Sequence, residues 1–302
     1  MKHIPVLLDE VIETFKDIED GYIVDCTTGL AGHSRAILES NPNIKLICID
    51  RDINAIEIAK RNLADFLDRV EFANGEYSKK IVEFKDREIR GILADIGVSS
   101  MQLDEENRGF GFNSDKLDMR MNPDQALSAS EVVNSYTLLE LEKIFKEYGE
   151  IREYKKVARV ICDYRKDKKI ESNIELSRLI EQHIRKTKLH PATLAFQAIR
   201  IEVNSELEEL EGLLEFVKNQ KPKDTTVAII SFHSLEDKIV KNAFRDFSKN
   251  CICDIDAMKC TCSRDNALGK VVTKKPMIPT KEEIKTNPRS RSSKMRIFQT
   301  KA

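Results

Sequence analysis

The sequence predicts a doubly wound α/β fold: a mostly parallel sheet with helices on both faces, interrupted by an inserted helical segment. Three observations carry this expectation. Within the first hundred residues, four short runs rich in Val and Ile alternate with segments of helical pattern, the signature of strand–crossover–strand units. Three of those runs end in or near an aspartate, Asp25, Asp50 and Asp95, at the strand ends where such sheets bind ligands. From about residue 105 to 189, helical patterns continue without a convincing strand before the alternation resumes.

Taken in order, YIVDCT (22–27) is the first strand and a helix follows over 33–40. KLICID (45–50) is the second strand, followed by a helix whose Ile53, Ile56, Ala59 and Leu63 recur at three- and four-residue spacing. VEFAN (70–74) and GILADIG (91–97) are the third and fourth strands. In the insertion, Leu141, Ile144, Phe145 and Tyr148 form one apolar stripe, and Val157, Val160, Ile161 and Tyr164 another. Ser172 with Glu175 three residues later reads as a capping box that opens a third helix. A helix near 203–217, strand TVAIISF (226–232), a helix from Glu236 and two β-like runs, KVVT (270–273) and KMRIF (294–298), complete the chain. The expected domains are 1–104 together with 190–302, and an inserted 105–189.

The chain has 302 residues, 41% hydrophobic and 33% charged, which is ample for a packed core and excludes disorder throughout. The longest stretches without a charged side chain are the eleven residues 189–199 and 225–235, far short of the ~20 a membrane span needs. No signal-peptide pattern opens the chain, and seven cysteines spread unevenly do not form a disulfide framework. The expectation is a cytoplasmic protein. Net charge is −1, but it is unevenly distributed: 1–107 with 191–263 carry −12, 108–190 carry +3 and 264–302 carry +8. A polyanionic partner is therefore sought at the last two segments.

The first strand leads into D25-C-T-T-G-L-A-G-H-S34. Gly29 and Gly32 lack a Cβ and can take positive φ, so the turn can bring backbone amides close to a ligand. The spacing departs from the dinucleotide fingerprint, and an ordinary tight turn remains an alternative. Asp50, about twenty residues on, stands where an acidic side chain binds ribose hydroxyls, whereas Asp52 reads as a helix cap. Three acidic strand ends without a P-loop lysine suit an adenosine ligand carrying positive charge, such as S-adenosylmethionine.

Eight strings, H3-I-P-V-L-L-D-E10, D25-C-T-T-G-L-A-G-H-S34, G91-I-L-A-D-I-G-V-S-S-M-Q-L-D104, R108-G-F-G-F112, L117-D-M-R-M121, H190-P-A-T-L-A-F-Q-A-I-R200, I230-S-F-H-S-L-E-D237 and N287-P-R-S-R-S-S-K294, make the chain similar to one family. It resembles the bacterial methyltransferases that modify N4 of a cytosine in the decoding region of small-subunit (16S) ribosomal RNA. The resemblance implies a class I (Rossmann-like) S-adenosylmethionine-dependent methyltransferase sheet with an inserted helical domain that helps recognise RNA. It implies a cofactor held by Ala31, Gly32, His33, Asp50, Tyr77, Asp95 and Gln102. The partner it implies is 16S ribosomal RNA in the small subunit or its precursor; no membrane is involved, and homodimerisation is left open. Leu30 departs from the family's glycine-rich turn, and K221-P-K-D-T-T-V lacks the usual Gly-Gly before the fifth strand.

The exocyclic amine of cytosine is a poor nucleophile, so acceptors that orient it and take its proton should help. The residues read for this are Asp95, Ser231, His233 and Asn204, with binding of the methionine amino group by Asp95, a helix cap (Ser234 paired with Asp237) and a structural histidine as the plain alternatives. RNA contacts are expected at Arg108, Arg120, Arg289, Arg291 and Lys294, with Arg296 and the 165–169 charge run as further basic positions. No metal is required. Two C-x-C pairs, Cys251 with Cys253 and Cys260 with Cys262, leave structural zinc open beside free thiols. The rival functions are a dinucleotide-dependent oxidoreductase and an RNA-binding ribosome-assembly protein with a degenerate cofactor pocket.

Overall fold

The computed structural model describes residues 4–99, 102–103, 105–184, 190–253 and 259–302. Its strands are β1 (Tyr22–Asp25), β2 (Lys45–Asp50), β3 (Val70–Asn74), β4 (Ile89–Ile96), β5 (Thr226–Ser231), β6 (Gly269–Val271) and β7 (Lys294–Thr300). They form one sheet in the order β3-β2-β1-β4-β5-β7-β6. Strands β1 to β5 run parallel, and β7 lies antiparallel between β5 and β6. The order reverses at β1, which makes the gap between β1 and β4 the topological switch point of a Rossmann-like sheet.

Alternation of side chains dresses both faces of this sheet. Val24, Ile47, Ile49, Ile92, Ala94, Val227, Ile229 and Phe298 face one apolar layer. Ile23, Leu46, Cys48, Leu93, Ala228, Ile230 and Ile297 face the other. Helices α1 (Leu8–Phe15), α2 (Gly32–Ser40) and α3 (Ile53–Asn62) supply Val11, Phe15, Ile37, Leu38 and Ala59 to the second layer. The short α4 (Tyr77–Lys80) contributes to the first. Each fully buried Ile or Leu contributes roughly 1.5–3 kcal/mol by leaving water, so a sheet buried on both faces dominates the stability of this part of the chain.

The chain divides into two compact units, Met1–Gly97 with Glu208–Ala302, and Val98–Leu207. The second unit is built from α5 (Ala129–Ser135), α6 (Leu138–Glu147), α7 (Tyr154–Asp167), α8 (Asn173–His183) and α9 (Thr193–Asn204). Leu141, Ile144, Phe145, Val157 and Ile161 of the two expected stripes are in its core, and Ser172 caps α8 by accepting the Glu175 amide. Its extent differs from the expected 105–189, because α9 packs Ala195, Phe196, Ala198 and Ile199 into that same core. Positions 104 and 189 themselves, like His3, Ser100 and Met101 of the motif strings, lie outside the described residues.

The expected helix over 203–217 is two helices, α9 and α10 (Glu206–Gln220). Ser205, at φ 48°, breaks them without a glycine or proline to signal it. Helices α11 (Ser234–Phe247) and α12 (Lys281–Thr286) complete the first unit. Before β5, Lys221 and Asp224 adopt left-handed φ of 47° and 48°, the conformation for which the family's glycines would be suited. No helix among the described residues is long and apolar enough to cross a membrane.

Candidate functional site

The turn after β1 resolves the question raised by Leu30. The left-handed positions are Gly29 (φ 51°) and Ala31 (φ 61°), so Leu30 occupies a place where no glycine is needed. Gly32 does not take positive φ as expected. It is required by space, since a Cβ there would sit 2.5 Å from Pro5. The Asn62 side chain donates to the Leu30 carbonyl at 2.9 Å and the Gly29 amide donates to Asp50 at 2.8 Å, tying the turn to the second strand. Asp50 also accepts the Asp52 amide at 2.9 Å, and Asp52 caps α3 by accepting from the Asn54 amide.

Three carboxylates converge at the ends of the adjacent strands β2, β1 and β4. Asp25 accepts from the Ser34 hydroxyl at 2.6 Å and from the Thr27 amide at 3.2 Å. The Asp95 amide donates to the Thr27 hydroxyl at 2.7 Å, which fixes the end of β4 against the turn. Asp95 Oδ2 lies 3.8 Å from His33 Nδ1, while Oδ1 is buried without a hydrogen-bond partner. His33 Nε2 lies 2.8 Å from the Val6 carbonyl; a carbonyl only accepts, so Nε2 carries a proton and Nδ1 is turned toward Asp95.

Burial raises all three carboxyl groups. Desolvation pushes Asp50 and Asp95 up to about 6, and it raises Asp25 against the opposing bonds from Ser34 and Thr27. A buried acceptor lacking a donor costs free energy unless a ligand supplies one. The partners of these carboxylates are hydroxyls, backbone amides and an imidazole, so their charge is uncompensated by lysine or arginine in these contacts. The site therefore fits a cationic ligand, and the ammonium and sulfonium groups of S-adenosylmethionine match it.

A carboxyl more basic when folded than unfolded lowers stability as pH rises from about 4 to about 6, because the fold then holds an ionised group it disfavours. A cationic ligand rewards the ionised form, so its affinity must rise over the same window. Calorimetry is expected to show cofactor binding weaker by roughly tenfold at about pH 5 than at about pH 7, with the dependence flattened in Asp95→Asn. A flat profile in the unmodified protein would contradict this reading.

Other expected site residues fall differently. Tyr77 is only 8% exposed and lies in the core layer with Ile49, Ala73 and Leu213, so its ring is largely packed rather than an open stacking face. Ser231, 2% exposed, donates to the Lys294 carbonyl at 3.3 Å. His233 is the residue before α11, its Nε2 2.9 Å from Glu236 Oε1. The expected Ser234–Asp237 cap is replaced by Glu236, which accepts from the amides of Phe232 and His233 at 2.7 and 3.2 Å. Asp237 instead pairs with Arg296 at 2.7 Å and Lys294 at 3.3 Å. This removes Arg296, 7% exposed, from the expected RNA-facing positions.

Within the second unit, Gln102 closes a turn: its side chain accepts the Ser99 amide at 3.0 Å and its amide donates to the Ser99 hydroxyl. Asn204, read as a substrate-side group, is 1% exposed. It accepts the Met121 amide and donates to the Met119 and Arg200 carbonyls, each at 2.8–2.9 Å, so its role is to hold the LDMRM loop. Arg108 donates to the carbonyls of Arg120 and Met121. Arg120 forms a forked pair with Asp118 at 2.8–2.9 Å. Arg165 donates to the Val133 and Tyr136 carbonyls. These guanidinium groups serve the fold before any ligand.

Sequence reasoning missed one cluster beside Tyr77. Glu209, 5% exposed, accepts from the Ser78 hydroxyl at 2.7 Å and lies 3.6 Å from Arg51. These residues are up to 158 positions apart, and no spacing pattern links them. A cavity of about 320 Å³ adjoins the end of β5, lined by Phe232, His233, Ile284, Arg291 and Lys294 among others. It joins two expectations that the sequence kept separate, the histidine after β5 and the basic tail.

The geometry agrees with what known proteins resemble this chain. The model of the MraW methylase family matches residues 1–301. The chain is 58% identical over 296 residues to ribosomal RNA small subunit methyltransferase H of Aliarcobacter butzleri (strain RM4018), covering 98% of each chain. It is 52% identical over 302 residues to the protein of the same name in Helicobacter pylori (strain Shi470), covering 99% of this chain and 97% of that one. The Wolinella succinogenes protein of that name is 52% identical over 301 residues, covering 99% of each. A switch-point crevice lined by uncompensated carboxylates and a match spanning nearly the whole sequence lead to one conclusion: the cofactor is S-adenosylmethionine, and the chain belongs to the MraW methylase family.

Proposed function

We propose that this protein transfers a methyl group from S-adenosylmethionine to the exocyclic N4 amine of a cytidine in the decoding region of 16S ribosomal RNA, acting on the small ribosomal subunit or its precursor. The observation that carries the chemistry is Asp95: at the switch point, with one buried oxygen unpartnered and its carboxyl raised to about 6. The names of the relatives, small-subunit ribosomal RNA methyltransferases, support the substrate, and the motif resemblance supports the cytidine.

In this reading Ala31, Gly32, His33, Asp50 and Asp95 form the cofactor cradle, with Tyr77 as a support rather than as an open contact face; Gln102 is assigned to the cofactor on the motif resemblance alone. As the new N–C bond forms and the S–C bond breaks, the amine nitrogen becomes acidic, and Asp95 Oδ1 accepts the proton it sheds. Cleavage of the S–C bond removes the sulfonium charge that lowers the Asp95 carboxyl in the bound complex, so its basicity recovers as the amine sheds its proton. His33, held by Val6, stands 3.8 Å from Asp95 Oδ2 on the other side. The target base, turned out of its RNA stack, meets the methyl donor at Asp95, and the cavity beside His233, whose wall includes Arg291 and Lys294, takes the adjoining RNA backbone. Ser231 shapes that end of β5. The second unit contributes to RNA recognition.

Arg289, Arg291 and Lys294 neutralise RNA phosphates. Reversing charge at Arg289 and Arg291 together is expected to weaken RNA binding by at least tenfold near 0.1 M salt and to reduce its salt dependence, leaving the cofactor Kd unchanged. Filter binding at several salt concentrations checks this, and unaltered RNA affinity would refute the role. The function itself is tested with labelled S-adenosylmethionine and small subunits from cells lacking the modification. Label is expected in 16S RNA from those subunits and little in mature ones; no transfer would favour the assembly-factor reading.

A further inference from the structure

We infer that Cys251, Cys253, Cys260 and Cys262 form a closed structural site for one zinc ion, separate from the methyl-transfer chemistry. The Sγ atoms of Cys251 and Cys260 are 3.7 Å apart, those of Cys251 and Cys262 3.7 Å, Cys260 and Cys262 3.6 Å, and Cys253 and Cys260 3.9 Å. All four lie within 4.8 Å of one another. Four sulfurs placed about 2.3 Å from a central zinc stand about 3.8 Å apart at the corners of a tetrahedron. These four separations match that edge. A disulfide would need about 2.0 Å, and the four cysteines are free.

The surroundings suit thiolates. The backbone amides of Thr261 and Cys262 donate to Cys253 Sγ at 3.3 and 3.4 Å, the kind of outer bond that orients a ligand sulfur and spreads its charge. With four sulfur ligands no coordination position is left for water or substrate, which makes the site structural rather than catalytic.

Its place in the fold supplies the reason for it. The segment joins α11 to the sheet-edge strand β6, and its neck is closed by backbone bonds from Asn266 to Asn250 and from Leu268 to Phe247, at 3.2 and 2.8 Å. Between those bonds Ile252 is 65% exposed, so apolar burial by this side chain does not anchor the segment. Metal ligation would anchor the four cysteines where Ile252 does not.

The test uses the full-length protein purified under reducing conditions without chelator. Elemental analysis is expected to find one zinc per chain. Replacement by cobalt(II) is expected to give the intense visible bands and sulfur-to-metal charge transfer of tetrahedral thiolate coordination. A strong chelator should make four further thiols reactive while leaving S-adenosylmethionine binding intact. Cys260→Ser should lower zinc occupancy at least tenfold under competition with a metal indicator. Zinc-free protein that does not take up zinc or cobalt, disulfides within the four cysteines of freshly isolated protein, iron in place of zinc, or zinc retained undiminished in Cys260→Ser would each overturn the assignment.

Discussion

Asp95→Asn is expected to slow single-turnover methyl transfer by about 10²–10⁴-fold at saturating S-adenosylmethionine. The substitution keeps the size of the side chain but replaces the carboxylate, whose Oδ1 is buried and unpartnered, by a neutral amide that cannot take up the proton. Cofactor affinity should fall less than the rate, because Asp25 and Asp50 remain at the neighbouring strand ends. The bond from the Asp95 amide to Thr27 is retained, so the turn and sheet stay in place, and with the disfavoured buried charge removed the variant should melt no lower than the parent protein at neutral pH. A near-normal rate at saturating cofactor would reduce Asp95 to a binding residue.

The second large effect is on stability. Asn204→Leu should destabilise the protein by about 3–5 kcal/mol, since the buried Met121 amide and Met119 carbonyl lose their partners and each such group costs about 1–3 kcal/mol. Thermal unfolding of the full chain measures this. The fraction that remains folded at low temperature should retain methyl transfer within about tenfold of the parent rate. An unchanged melting temperature with the rate lost would return Asn204 to the catalytic role suggested by its sequence.

The contrast between these two residues shows what a linear sequence carries. The sheet was legible because Val/Ile alternation repeats locally: KLICID and VEFAN match β2 and β3 residue for residue. Asp25, Asp50 and Asp95 were legible as a site because strand ends in parallel sheets converge by topology, whatever lies between them. Charged residues in loops were not. Arg108, Arg120, Arg165 and Arg296 look like a nucleic-acid surface in a charge count, yet each donates to a carbonyl or carboxylate within the fold. Whether a guanidinium finds an internal partner depends on contacts up to 59 residues away. The break at Ser205 was hidden for a related reason: a serine in left-handed φ between two helices leaves no mark in composition. The LDMRM and HPAT strings identified the family, yet their described contacts are structural. Met119 and Met121 are tied by Asn204, and His190 accepts the Ala192 amide and stacks on Phe112 at 4.9 Å.

The central claim is that these carboxylates serve methylation of a cytidine amine in 16S RNA. It is tested most directly by digesting 16S RNA to nucleosides after incubation of unmodified small subunits with the protein and S-adenosylmethionine, and identifying the product by mass spectrometry. The account predicts N4-methylcytidine from the decoding region, formed by the parent protein and at most at about a hundredth of that rate by Asp95→Asn. Methyl on a different base or on ribose, or equal product from both proteins, would contradict it.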